Sequence, residues 1–195
     1  MDHSIRDQIR RALSGRQRKV AADPRLRKAA VVMPLYEDGD GLHILFTRRS
    51  EEVPQHKGQI AFPGGLQHPD DPSLRATALR EAEEEIGLRA GDVEILGELD
   101  DTATATTHFI VTPFVGLIPH PYPFRMNPAE IVELIPLPLS LLRDPSRFRE
   151  ELWDRDGAKN PVYFYMVGSH VIWGLTARIL KQFLEAVFPR GTATL

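Results

Sequence analysis

Glu81, Glu84 and Glu85 share one short stretch, Arg80-Glu81-Ala82-Glu83-Glu84-Glu85-Ile86-Gly87-Leu88. At roughly 100° per residue they cluster on a helix, with Glu81 and Glu85 one turn apart. Like charges at such spacings destabilise a helix by roughly tenths of a kcal/mol per pair. A positive partner is therefore expected among them, and Arg80 alone is too little. A divalent cation answers better, because Mg²⁺ and Mn²⁺ take hard oxygen ligands, commonly one or two carboxylates together with water and phosphate oxygens. Backbone groups of the upstream Gly64-Gly65 turn can approach the same point, since no side chain blocks them. The plain alternative is a solvated acidic helix face. A glycine turn, a capped helix and an Arg-Glu pair occurring together favour the cation.

The element that must position these acids is a helix whose ends the sequence marks. Asp71 suits the N-cap and Pro72 the first helical position, where its missing N–H costs nothing. Gly87 suits a left-handed C-cap. Ala78, Leu79, Ala82 and Ile86 form the apolar stripe between them. Upstream, AAVVMPLY and LHILFTR flank Glu37-Asp38-Gly39-Asp40-Gly41 and read as a β-hairpin over 29–47. The stretch from Arg48 to Lys57 is polar and aperiodic, a loop by composition. Arginine there would suit phosphate, which its planar fork meets with two parallel hydrogen bonds. Downstream, VEILGELDD and HFIVTPFVGLI read as strands around a small-residue loop carrying His108, as a base, a phosphate contact or a structural histidine. Residues 119–128 are proline-rich and form a loop. Glu130 to Leu137 reads as a strand, Leu139 to Leu142 as a short helix, then a polar loop runs through Gly157. A VYFYMV strand follows, and a last helix spans Leu175 to Phe188, with Ile179, Phe183 and Val187 in the core.

The first 28 residues are basic, and Ile5, Ile9 and Leu13 recur every four residues, which predicts a short amphipathic helix packed on a domain of residues 29–190. They lack the apolar core of a signal peptide. A net charge of −3 gives no global argument for nucleic acid or membrane binding. The absence of cysteine excludes disulfides, thiolate catalysis and cysteine-based zinc sites. No apolar run reaches the roughly 20 residues that span a bilayer. A cytoplasmic protein is expected, with a homodimer left open.

The central segment resembles the Nudix box, G-x5-E-x7-R-E-U-x-E-E-x-G-U with U aliphatic. Gly65 supplies its first glycine and Arg80 to Leu88 its second half, with one extra residue before Arg80 and Asp71 in the place of the first glutamate. Leu45-Phe46-Thr47-Arg48-Arg49-Ser50 and Gly58-Gln59-Ile60-Ala61-Phe62-Pro63-Gly64-Gly65 are similar to the signature of the coenzyme A diphosphatase branch, as is Trp173-Gly174-Leu175-Thr176-Ala177. Pro54 stands where that signature has an arginine. The likeness covers about residues 29 to 187.

The resemblance implies an α/β fold, the Nudix α/β/α sandwich with a mixed β-sheet, and a metal-dependent hydrolysis of coenzyme A or acyl-CoA at the diphosphate. It implies Mg²⁺ or Mn²⁺ on Glu81 and Glu85 with a main-chain carbonyl at Gly64, and Glu84 as a further ligand or the base. Arg80 would orient a carboxylate, and Glu130 is a second acid candidate. Substrate contacts would come from Arg48, Arg49, Ser50, Lys57, Gln59 and Gly65, and residues 119–128 would border the adenine or pantetheine end. Other readings are a diphosphatase for ADP-ribose, a dinucleotide or a nucleoside triphosphate, and a non-catalytic nucleotide-binding module.

Overall fold

The computed structural model describes residues 4–53, 56–104, 108–155 and 157–189. Pro54, the departure from the signature, lies outside them. The chain runs α1 (Ile5–Ser14), β1 (Arg27–Asp38), β2 (Gly41–Arg49), β3 (Ile60–Ala61), β4 (Gly64–Leu66) and α2 (Leu74–Ile86). Then come β5 (Glu94–Glu98), β6 (Thr102–Ala103), β7 (Phe109–Leu117), β8 (Ile131–Pro138) and α3 (Leu139–Leu142). The last elements are β9 (Phe148–Arg155), β10 (Ala158–Val167), β11 (His170–Trp173) and α4 (Gly174–Val187).

Strands β1 to β8 form one mixed sheet, ordered β3-β2-β1-β7-β5, with β4 on β1, β6 on β7 and β8 on β2. The long β1–β7 pairing is parallel and the others are antiparallel. Successive side chains of a strand point to opposite faces, and β1 is apolar on both. Ala29, Met33 and Leu35 join the core shared with α1, α3 and α4, whereas Ala30, Val32 and Tyr36 join the core under α2. A strand that reads as a continuous apolar run is thus buried on both sides, between helical layers. This is the expected α/β/α sandwich.

Four local expectations are corrected. First, α2 begins later than its acidic turn suggests. Ser73, not Asp71, is the N-cap, its hydroxyl accepting from the Ala76 amide at 3.1 Å. Asp71 is instead committed to the side chain of Arg80. The C-cap is Gly87, left-handed at φ 69°. Second, Arg48 and Arg49 are the last residues of β2 rather than loop, because pairing with β8 continues past a register shift between them. Third, residues 148–155 are a strand. Their charge conceals it, but β9 pairs with β10 along its whole length in a separate three-stranded sheet. Fourth, residues 119–128 do not border the cleft described below. Arg125 donates its amide to the Ile86 carbonyl at 2.9 Å and the Tyr122 hydroxyl accepts from the Arg89 amide at 3.0 Å, so the loop closes the C-terminal end of α2.

Helix α1 buries Ile9 and Leu13 in the core shared with α4. Arg6 and Arg10 of α1 pair with Glu94 of β5, and in the segment that follows the helix Arg16 pairs with Asp100 and Arg18 with Glu98. Part of the basic segment is therefore paired within the chain.

Candidate active site

The acids of α2 part company by depth. Ala78, Ala82 and Ile86 pin one face of the helix against β1, and that orientation carries Glu85 inward until its residue is only 2 % exposed. Its carboxylate accepts from Arg49 Nη1 at 3.1 Å and from the Gly64 amide at 3.1 Å. Burial pushes its pKa up from 4.5 to about 7, against the pull of Arg49 and the Gly64 amide, and the nearby Glu81 and Glu130 push the same way. Glu81 is also raised, chiefly by burial, opposed by Arg80 and assisted by Glu84 and Glu130. Glu84 is different. Its side chain is 55 % exposed, pairs with Arg80 at 3.0 Å and stays outside the cleft.

Arg80 is the organising cation. It donates to both carboxylate oxygens of Asp71 at 3.0 Å each and to the Leu66 carbonyl at 3.2 Å. It also reaches Glu81 at 2.9 Å. Asp71 in turn accepts from the Thr77 hydroxyl and the His68 amide, and these contacts with Arg80 hold its carboxyl well below the usual range. Asp71, which the count from Gly65 sets in the place of the first acid of the box, is thus tied to the arginine of its second half, and the extra residue lies between the two, within residues 72–79.

The two glycines serve close approach. A Cβ on Gly65 would lie 2.5 Å from the Glu81 carboxyl carbon. Gly64, at φ 152°, leaves no room for a Cβ against the backbone of β1, where it would come within 2.6 Å of the Val31 Cα. The helix acids can thus lie directly on the backbone of β4.

Glu81, Glu85, Gly64, Gly65, Arg49 and Gln59 line one cleft of about 1000 Å³ between the two sheets. Glu130 lies in the same lining, held by Asn127 at 2.9 Å. The donor set fits a hard divalent cation: the buried carboxylate of Glu85 and the half-buried one of Glu81, both with raised proton affinity, beside a backbone made accessible by glycine. The Nε of Arg49 is buried and has no hydrogen-bond partner among the described residues. Among the described residues no group of three acidic or histidine side chains converges as a ready-made cation cage.

The remaining candidates lie elsewhere. Arg48 pairs with Glu133 at 2.6 Å and lines a smaller neighbouring pocket. Ser50 is buried, its hydroxyl accepting from the Glu52 amide and its own amide donating to the Glu130 carbonyl at 2.7 Å, so it fixes Glu130 from behind. Lys57 is exposed and outside the cleft, and His108 is exposed at a left-handed turn. Trp153, Asn160 and Arg178 are cleft residues the sequence did not single out, carried by the strands and helix of the second layer.

A mixed sheet between helical layers, with a glutamate helix seated on a diglycine turn, defines the class. The NUDIX domain model matches residues 25–154, two-thirds of the chain, so the protein belongs to the Nudix family and is a Nudix hydrolase, of a class acting on nucleoside diphosphate derivatives. It is 41% identical over 161 residues to a Photorhabdus laumondii protein named Uncharacterized Nudix hydrolase NudL, covering 83% of this chain and 85% of that one. A Yersinia pestis protein of the same name is 40% identical over 161 residues, covering 83% and 80%. Among solved structures, a Caenorhabditis elegans Ap4A hydrolase binary complex matches with a TM-score of 0.50 at 17% identity, over 59% of this chain and 82% of that one. A MutT/nudix family protein from Enterococcus faecalis matches at 0.51 and 16%, over 80% and 54%. At those identities the structures speak for the fold alone.

Proposed function

We propose that the chain hydrolyses the diphosphate bond of coenzyme A and its acyl thioesters, releasing 3′,5′-ADP and (acyl-)4′-phosphopantetheine. The observation that carries this reading is the shared cleft. Arg49, Gln59, Ala61 and Phe62, from the stretch similar to the coenzyme A diphosphatase signature, line it together with Glu81 and Glu85. Its volume of about 1000 Å³ suits a long nucleotide conjugate rather than a small phosphate ester.

Glu81 and Glu85, with the main chain at Gly64, would hold Mg²⁺ or Mn²⁺. Such a cation neutralises diphosphate charge and makes water a better nucleophile. Arg80 fixes Glu81 in place, and Arg49 holds Glu85 and brings its positive charge to the cleft wall, where it would attract the diphosphate. Water attacks one phosphorus, the bridging P–O bond breaks, and the proton passes to a carboxylate. Glu130, held by Asn127 in the same lining, suits that role better than Glu84, which faces solvent.

Product analysis by chromatography, after incubation with coenzyme A and Mg²⁺ or Mn²⁺, tests the proposal. Appearance of 3′,5′-ADP is expected. Turnover of ADP-ribose or a dinucleotide with coenzyme A left intact would move the substrate to another nucleotide conjugate. Metal-dependent nucleotide binding without any product would point to a binding module.

A further inference from the structure

Coenzyme A carries, besides its diphosphate, a phosphomonoester on the ribose, and the cations nearest in sequence to the glycine turn are not free to meet it. Arg48 is bound to Glu133, Arg49 to Glu85, and Lys57 lies outside the cleft. The other arginines in the cleft lining are Arg27 and Arg178. Arg27 is exposed on β1 and stacks over Phe109 at 5.7 Å. Arg178 sits in the first turns of α4. It donates to the Pro161 carbonyl at 3.2 Å and lies 5.8 Å from the Tyr163 ring centre, and no carboxylate pairs with it among the described residues.

Two further observations meet at that point. Helix α4 is 14 residues long and begins at Trp173 without a side chain capping its first amides. Uncapped amides and the helix dipole favour an anion there. Thr176, in the same turn, is 9 % exposed, lines the cleft, and its hydroxyl has no hydrogen-bond partner among the described residues. A hydroxyl that lines the cleft without a protein partner can donate to an anionic oxygen there. The turn is also held in place. Gln182, one turn beyond Arg178, bonds the Thr102 hydroxyl at 3.0 Å and the Asp100 amide at 3.1 Å, tying α4 to the cleft wall.

We infer that the first turn of α4, with Thr176 and Arg178, is a second phosphate-binding subsite, which takes the ribose phosphomonoester of the substrate. The identity of that phosphate rests on the coenzyme A reading. The subsite selects substrates by an anion remote from the bond that breaks. It gives the cleft two anion contacts of different origin, Arg49 at the diphosphate and α4 at the ribose.

The test compares binding of 3′,5′-ADP and 5′-AMP, which differ only in that phosphate, by calorimetry in Mg²⁺. The wild-type chain is expected to prefer 3′,5′-ADP by roughly tenfold or more, the range for charge-assisted hydrogen bonds. Arg178→Gln, which keeps the stem but removes the charge, should bring the ratio close to one, and Thr176→Val should reduce it several-fold. Thermal melting checks folding, and Thr176→Val decides should Arg178→Gln not fold. Equal binding of the two nucleotides by the wild-type chain, or an undiminished ratio in the folded variants, overturns the subsite. Coenzyme A cleavage is scored separately. Cleavage with equal nucleotide binding removes the subsite and leaves the substrate reading. A 3′,5′-ADP preference lost in the variants, without cleavage, does the reverse.

Discussion

The buried carboxylate of Glu85 ties the stability of the metal-free protein to pH in a direction opposite to ordinary acid denaturation. Its pKa rises from 4.5 to about 7 in the fold, so between those values the folded chain binds a proton that the unfolded chain has released. Stability is then fully present below about pH 4.5 and is lost as pH rises through about 7. At about 1.4 kcal/mol per pKa unit the loss is about 3 kcal/mol, and Glu81, raised in the same direction, adds to it. For a domain of this size that is a fall in Tm of roughly 6–12 °C between pH 5 and 8. Glu85→Gln removes the titration but leaves either Arg49 or the Gly64 amide without its acceptor, at a cost of about 1–3 kcal/mol. The variant should therefore melt below the wild type at pH 5 and draw level with it, or pass it, by pH 8. Mg²⁺ should restore the wild type at pH 8 and leave the variant unmoved. Melting curves in chelator across this range provide the assay. A difference between the two proteins that does not change with pH would refute the reasoning. It would mean that Arg49 and the Gly64 amide fully compensate burial and Glu85 is ionised throughout.

Other perturbations separate positioning from chemistry. Gly65→Ala should fold yet lose at least ~10²-fold in turnover, because its methyl displaces the Glu81 carboxylate. Gly64→Ala should unfold at markedly lower denaturant, since its Cβ meets the backbone of β1. Asp71→Ala removes the two-oxygen partner of Arg80, which keeps Glu81 and Glu84, and should cost about 1–3 kcal/mol in chemical denaturation, with turnover falling as Glu81 loses its place. Arg49→Ala should reduce kcat/KM by at least ~10-fold, whereas Arg48→Ala, whose partner is Glu133, should change it less than about threefold. Ile9→Ala on α1 should destabilise the whole domain by about 2–4 kcal/mol, measured by urea unfolding, because that side chain is fully buried.

Where the sequence carried a period or a cap, it disclosed the structure well. The apolar stripe of α2, the left-handed Gly87, the hairpin around Gly39-Asp40 and the four-residue spacing of Ile5, Ile9 and Leu13 each have one physical cause, legible locally. Strand β9 did not disclose itself, because Arg149, Glu150 and Glu151 mask a pairing decided by β10. Asp71 was misread for a related reason. An acid beside Pro72 suits an N-cap, and nothing local says that Arg80, nine residues away, will claim it. The site shows the same division. Glu81 and Glu85 stood out by charge crowding, but only packing separates the buried Glu85 from the solvated Glu84. Thr176 fell in the stretch similar to the branch signature but without a role, and Arg178 could not be read as a cleft residue, since α4 reaches the cleft through contacts with strands far away in sequence.

Arg80 joins four partners drawn from both sides of the turn that precedes α2: Leu66 before it, Asp71 within it, and Glu81 and Glu84 after it. Those ties fix the two ends of residues 67–70 while the side chains of His68 and Asp70 remain in solvent. The chain between the ends is thus held on both sides while its own tip takes no part in seating the helix acids on the glycine turn. That makes it a graft point. A fluorophore-bearing cysteine or a short affinity peptide placed at Asp70 would ride within a few residues of the reaction centre while remaining mechanically insulated from it, turning the turn into a reporter of cleft occupancy.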